Sequence, residues 1–351
     1  MVSQFELHRM QKLDLIKKYF FDHCGLIIQS EIIKIWTTWI MNNVSFSVIR
    51  DEFIPDNGND LIEILEQKMG IDRDYLDTFM TDLVKMCNDQ ISNKEPLRDL
   101  GHVTLTLPPT RSVIYDEHTD VKNKVEAKCL INFRNWSHQI PMSVYHKLSS
   151  IHNGDPSEFP DDLWKTVSTY KTLDGYTFHL NLSPEAHQIL SEYGVVGELF
   201  ASPFNHYSPR YYSLFDSDKK FGSRGNIFLA NDQDFNEGLF LVHPPDNSKF
   251  INISAQMILD WLELANENNK ELTFVYVMPN QNNSGIELLL ESDMLREQFR
   301  LEEYQHYYYD SWHQKHVKSN HHTSFLILST AYEQWIKTLR EKLIIAMCHQ
   351  K

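Results

Sequence analysis

The rhythm of apolar and polar positions changes near residue 100. Before that point apolar residues recur at helical spacing, and residues 6–48 and 60–92 read as helices. In the second block Leu61, Ile62, Ile64, Leu65 and Met69, then Tyr75, Leu76, Phe79, Leu83, Val84 and Met86, recur at helical spacing. Pro55, Asn57 and Gly58 separate the two blocks. From His102 the texture becomes strand-like: HVTLTLPPT alternates and stops at paired prolines, and KCLINF (128–133) predicts a second strand. MSVYHKLSSI (142–151) predicts a helix, and the polar, turn-rich NGDPSEFPDD (153–162) a loop.

Beyond residue 175 strands and helices alternate. GYTFHLNL (175–182) reads as a strand, followed by a helix capped by Ser183 with Pro184 in its first turn. VVGELFA (195–201) is a strand, and the segment from His206 to Phe215 is expected to begin a helix. GLFLVHPP (238–245) is a strand ending at a proline pair, with the amphipathic ISAQMILDWLELANE (253–267) after it. ELTFVYVMP (271–279) and HTSFLILST (322–330) are strands, and AYEQWIKTLREKLIIAM closes the chain as a helix. This alternation predicts a largely parallel sheet with helices on both faces. The expected division is a helical lobe over 1–100 and an α/β domain over 101–351, with no internal repeat.

Composition narrows the function classes. The 351 residues carry 33 Lys+Arg against 48 Asp+Glu, a net charge of −15, which excludes a protein that coats nucleic acid through bulk charge. The acid is uneven: residues 51–100 sum to −8, whereas 101–150 sum to +2 and 201–250 to −1. The middle of the chain can therefore still receive one positioned anionic partner. Only 12 glycines are present, so a fold resting on several glycine-rich phosphate loops is disfavoured. The four cysteines are dispersed and form no C-x-x-C pair, which predicts reduced, structural thiols. The first residues, MVSQFELHRMQKLD, are charged where a signal peptide needs an apolar run, and Ile35 to Ile49 is too short to span a bilayer. The expectation is an intracellular protein, nuclear or cytoplasmic, with no membrane partner.

Strand tips are where such sheets hold ligands. The tips here are Ser202-Pro203-Phe204-Asn205, His243-Pro244-Pro245-Asp246 and Pro279-Asn280-Gln281. A proline pair fixes the backbone and removes two N–H donors. Five histidines fall between His306 and His322 beside Tyr304 and Tyr307 to Tyr309, but with few acids among them. They are expected to form a polar helix and loop near the substrate groove, and no metal site is predicted. Walker, G-x-S-x-G and H-E-x-x-H patterns are absent.

The run GELFASPFNHYSPRYYSLFDSDKKFGSRGNIF (197–228), followed by VHPPD (242–246), resembles the phosphorylated-CTD-interacting-factor family of adenosine methyltransferases. Glu198, Phe200, Ala201, Ser202, Pro203 and Asn205 match the family's E-C-F-A-S-P-L-N element. Phe221 to Gly225 match its F-G-S-R-G without change, and P-P follows in the same order. The likeness runs from about 128 to 330, with 195–280 the specific part. It implies a class I, Rossmann-like fold binding S-adenosylmethionine, and methyl transfer to N6 of the 2′-O-methyladenosine beside an mRNA cap. By position, Glu198, Ala201, Ser202, Pro203, Asn205, Arg224 and Gly225 would form the cofactor side. Arg224 pairing with Glu198 is the alternative to a cofactor role. His243, Pro244, Pro245 and Asp246 would form the reaction turn, with Arg134, Lys249, Pro279 and Asn280 towards the substrate.

The chemistry of that turn is specific. The adenine amine is delocalised into its ring and is a poor nucleophile. Acceptors on its two N–H groups favour the developing charge, and a stacked ring orients it. The family's turn is N-P-P-F, whereas this chain reads H-P-P-D. Neutral His243 offers one acceptor nitrogen, but Asp246 has no π face. Phe240 and Phe250 are the nearest rings in sequence. The next tip, P-N-Q-N, also replaces the family's P-E-W-R, removing an aromatic and an arginine. No W…W-P module accompanies the resemblance, so a phosphorylated polymerase tail is not an expected partner. Two readings follow: a methyltransferase acting on RNA, by the resemblance at a capped 5′ end, or a non-catalytic relative that binds RNA or protein. Arg210, Lys219, Lys220, Arg224 and Lys249, with Lys122, Lys124, Lys128 and Arg134, are the cations available for RNA phosphates.

Overall fold

The computed structural model describes residues 4–23, 29–43, 61, 65, 73–92, 102–108, 127–133, 136–173, 179–279, 283–331 and 334–348. The predicted helix over 6–48 is two helices, α1 (Gln4–His23) and α2 (Gln29–Asn43). Of the block over 60–92, α3 spans Arg73–Ser92. Next come strands β1 (Thr104–Thr106), β2 (Lys128–Phe133) and β3 (Trp136–Pro141), which form an antiparallel sheet in that order. Helix α4 (Met142–Ile151) follows as predicted.

Helix α5 (Phe159–Thr172) begins inside the stretch expected to be a loop. Pro160, Asp161 and Asp162 stand in its first turn, where proline costs no hydrogen bond and acids face the positive end of the helix dipole. Strand β4 (Leu180–Asn181) leads to α6 (Pro184–Glu192), whose cap is the predicted Ser183: its hydroxyl accepts the Ala186 N–H at 3.1 Å.

The central sheet has six strands. In chain order they are β5 (Val195–Leu199), β6 (Tyr211–Tyr212), β7 (Gly238–Val242), β8 (Leu272–Pro279), β9 (Leu295–Leu301) and β12 (Thr323–Ser329). Their spatial order is β6-β5-β7-β8-β12-β9. The first three pairings are parallel, whereas β12 runs antiparallel to both β8 and β9, so the sheet is mixed. Strands β10 (Tyr307–Asp310) and β11 (Lys315–Lys318) join β4 in a third, antiparallel sheet. That sheet stands where a polar helix and loop were expected. Helices α7 (Ser248–Glu267), α8 (Ser284–Leu290) and α9 (Trp335–Cys348) complete the fold.

Side-chain alternation divides the core. On β7 and β8, Phe240, Val242, Phe274, Tyr276 and Met278 face one layer, while Leu239, Leu241, Val275 and Val277 face the other. The second layer is closed by α6 and α9. The first continues through Trp164 of α5 into Phe20, Trp36 and Trp39 of the helical lobe, so one apolar core serves both regions. Polar staples reinforce it: Thr37 Oγ1 donates to Leu173 O at 2.7 Å. At the end of α2, Lys249 Nζ donates to Asn42 O at 2.7 Å, and Asn247 Nδ2 to Asn42 Oδ1 at 2.8 Å. The Cys87 and Cys129 thiols are buried, and burial pushes Cys87 up to about 12, which keeps it unreactive.

Candidate functional site

From β5 the chain moves to β6 on one side, while β7 pairs with β5 on the other. The strand order reverses there, so the carboxyl ends of β5 and β7 diverge around a crevice, the usual ligand position in open α/β sheets. A pocket of about 880 Å³, its solvent mouth included, lies there.

Its floor is the loop after β5. Phe200 adopts φ 69°, a left-handed conformation that a bulky residue holds only where its surroundings impose it. Those surroundings are hydrogen bonds. Asn205 Oδ1 accepts from Ser202 N at 2.7 Å and Ser202 Oγ at 2.9 Å, closing the S-P-F-N turn on itself. Asn205 Nδ2 donates to Leu180 O at 3.2 Å, and Asn181 Nδ2 donates to Asn205 O at 2.9 Å, fastening the turn to β4.

Glu198 and Lys147 grip the same loop from opposite chemical sides. Glu198 Oε1 accepts the N–H groups of Tyr207, at 2.7 Å, and of Ser208. Lys147 Nζ, from α4, donates to the carbonyls of Phe204 at 3.0 Å and His206 at 2.9 Å. Burial pushes the Glu198 carboxyl up to about 7, against the opposing pull of its hydrogen bonds and Lys147. Burial likewise lowers Lys147 to about 8, with Glu198 opposing the shift. His187 stacks on Tyr207 at 4.0 Å and His206 on Tyr211 at 4.1 Å. Both imidazoles are brought down to about 3, first by burial. Behind the floor, the Tyr170 hydroxyl donates to Asp218 Oδ2 at 2.7 Å, and burial raises Asp218 to about 7.

The rim is the turn from β7 into α7. Asn247 caps α7 by accepting the Phe250 N–H at 3.2 Å, so the helix starts five residues earlier than its periodicity suggested. His243 lies parallel to the Tyr308 ring at 5.7 Å, with an interplanar angle of 1°. Tyr308 is fixed in turn through Thr323 Oγ1, 2.7 Å from its hydroxyl, which also meets His306 Nε2 at 2.7 Å. Burial, with His321 adding to it, lowers His243 to about 4. It is therefore a neutral imidazole at pH 7 and keeps one acceptor nitrogen.

The expected residues divide. Glu198, Ala201, Ser202, Asn205, His243, Pro244, Pro245, Asp246 and Pro279 all line the one pocket. Pro203, Arg224, Gly225 and Lys249 do not. The F-G-S-R-G segment instead braces β6: Arg224 N donates to Tyr211 O at 2.8 Å, and Ser213 N to Gly225 O at 3.0 Å. The Arg224 side chain is exposed, and Glu198 is held instead by N–H groups of Tyr207, Ser208 and Asn181. Gly225 has φ +109°, a region open to glycine. Arg134 and Asn280 lie outside the described residues, as do Gln281, Lys122 and Lys124.

Other expectations also need correction. The segment 206–215 is not a helix. Glu198 takes up the N–H groups that would start one, and Tyr211 and Tyr212 pair with β5. Phe240 and Phe250 are fully buried in the core and supply no ring to the pocket. Tyr170, Phe200 and Tyr308 line it instead. Several proposed phosphate-binding cations are engaged: Arg210 with Asp234, Lys219 with Asp216, and Lys220 with Glu158. Among the described residues no three His, Cys, Asp or Glu side chains gather as metal ligands would. No helix among them is long and apolar enough to cross a membrane.

Lys147, Tyr170 and Asn181 had no local signature, whereas Tyr308 belongs to the Tyr–His cluster expected near the substrate groove. Each reaches the site from an element distant in sequence.

No curated protein matches the chain. A family model described as the phosphorylated CTD interacting factor 1 WW domain does, over residues 142–311, just under half of the chain. The matched span runs from the start of α4 to just beyond β10 and carries the whole floor and rim, so the chain is linked by sequence to that family through the part that builds the pocket.

Proposed function

We propose that the protein is an S-adenosylmethionine-dependent methyltransferase acting on adenosine N6 in RNA. The observation carrying this reading is convergence: the S-P-F-N loop and the H-P-P-D turn, 40 residues apart, line one pocket at the switch point of the sheet. The residues suit the cofactor. A nucleoside with a charged amino-acid tail needs apolar and aromatic walls and a buried acceptor, which Phe200, Leu214, Tyr170 and Glu198 offer. When bound, S-adenosylmethionine supplies an electrophilic methyl group.

The chain's own contribution is to hold the amine. Neutral His243 accepts one N–H through its ring nitrogen, and the Pro244 carbonyl accepts the other. This pulls the nitrogen lone pair towards the reaction axis. The stack on Tyr308 fixes the imidazole plane. The natural substrate by family resemblance is the 2′-O-methyladenosine of a capped 5′ end.

Calorimetry with S-adenosylmethionine tests this first. Binding is expected, and silence at high micromolar ligand sinks the enzyme reading. Methyl uptake by capped and uncapped adenosine RNAs then separates substrates. Binding without uptake by either RNA favours the second reading, a non-catalytic RNA- or protein-binding module, for which the exposed Asp246 at the family's aromatic position is the supporting feature.

A further inference from the structure

We infer that the pocket selects for a positively charged nucleoside, with Glu198 as the buried anchor and Asp246 as a second carboxylate at the mouth. The choice of a nucleoside rests on the methyltransferase reading, whereas the charge preference rests on the lining itself.

Glu198 is 3% exposed yet borders the pocket. A carboxylate has about four acceptor positions. Oε1 takes two backbone N–H groups, whereas Oε2 takes only the Asn181 amide, at 3.3 Å. One acceptor position thus remains on Oε2. Lys147 gives two of its three donors to the carbonyls of Phe204 and His206 and acts on Glu198 through its charge, not through a hydrogen bond to Oε2. At the mouth, Asp246 is exposed, and the Tyr308 ring stands between the His243 and His321 imidazoles with its faces turned to them. The described lining residues thus include two carboxylates, with the aromatic rings of Tyr170, Phe200 and Tyr308 beside them. A desolvated carboxylate discriminates charge more strongly than one in water.

The consequence reaches the product. A sulfonium nucleoside bearing an ammonium and a carboxylate has net charge +1, and its thioether counterpart has none. The site should hold the first and release the second. In this light the aspartate of H-P-P-D adds charge selectivity at the position where the family carries a ring.

The test is titration calorimetry of the full chain with two ligand pairs that differ in charge. The first is S-adenosylmethionine against S-adenosylhomocysteine; the second is 5′-amino-5′-deoxyadenosine against adenosine. The charged member of each pair is expected to bind roughly ten- to a hundredfold tighter, the scale of one hydrogen bond to a charged group. Glu198→Gln should bring both ratios close to one, and Asp246→Asn, at an exposed position, should lower them partly without depending on the floor loop. Equal or tighter binding of the uncharged members overturns the inference while leaving the methyl-donor reading intact. Charge preference in the second pair alone, with no binding of the first, overturns that reading and keeps the inference. Silence from all four ligands overturns both.

Discussion

The floor and the rim of the pocket are built on opposite principles. The floor loop is cross-linked by its own side chains. Asn205 and Ser202 close it, Glu198 binds its N–H groups and Lys147 its carbonyls. The rim turn carries exposed Asp246 and a histidine held chiefly by ring stacking. Family-like residues sit on the floor, and the departures sit on the rim. A buried polar network resists change because each member leaves others unsatisfied. The rim is tied from outside, through Asn247 and Lys249 to Asn42, so its exposed position 246 can change chemistry with less disturbance of the fold.

The contrast breaks most visibly at Lys147. Lys147→Met leaves the carbonyls of Phe204 and His206 without their donor, at roughly 1–3 kcal/mol each. Chemical denaturation should register that loss, and a variant as stable as the parent would show that the floor is not held from α4. A smaller effect is expected behind the floor. Burial raises Asp218 to about 7 from an ordinary 3.8, so the folded state binds more protons than the unfolded state between those values. Its contribution to stability therefore falls as pH rises from about 4 to 7. Melting Asp218→Asn beside the parent should show the variant gaining relative stability across that window and levelling above it. A flat difference would mean that the carboxyl is not desolvated. Least affected should be the rim: Asp246→Asn should stay within about 0.5 kcal/mol of the parent in denaturant. A larger loss would make the rim structural and erase the contrast.

Much of the fold was legible because its strongest elements are locally consistent. β7, β8 and β12 are long apolar runs bounded by proline or polar residues, and Ser183-Pro184 announces α6 by its own capping chemistry. The misreadings have physical causes. Asp161 and Asp162 are as suitable for a helix start as for a loop, and the start is what the chain uses. β9 and β11 carry arginine, lysine and glutamate because one face of each is wet, which hides their period. The aromatic spacing of 206–215 suits a helix, yet a tertiary contact with Glu198 overrides it. For the site, the two tips were readable as motifs. Their supports Lys147 and Tyr170 were not, since contact between elements distant in sequence leaves no local pattern. F-G-S-R-G shows the converse: a distinctive motif whose role is to brace an edge strand.

The tie between α2 and the start of α7 couples two parts of the chain that differ in sequence character. Asn42 receives Lys249 and Asn247 immediately beyond the H-P-P-D turn, so the last turn of an N-terminal helix is a fixed abutment for the rim. By linkage, whatever steadies one end steadies the other. A ligand that orders the 243–246 turn should slow hydrogen exchange of the α2 amides, some two hundred residues away along the chain. A partner that grips the lobe should tighten the pocket by the same free energy. The lobe thereby becomes a handle through which occupancy of the site can be felt, and set, from outside.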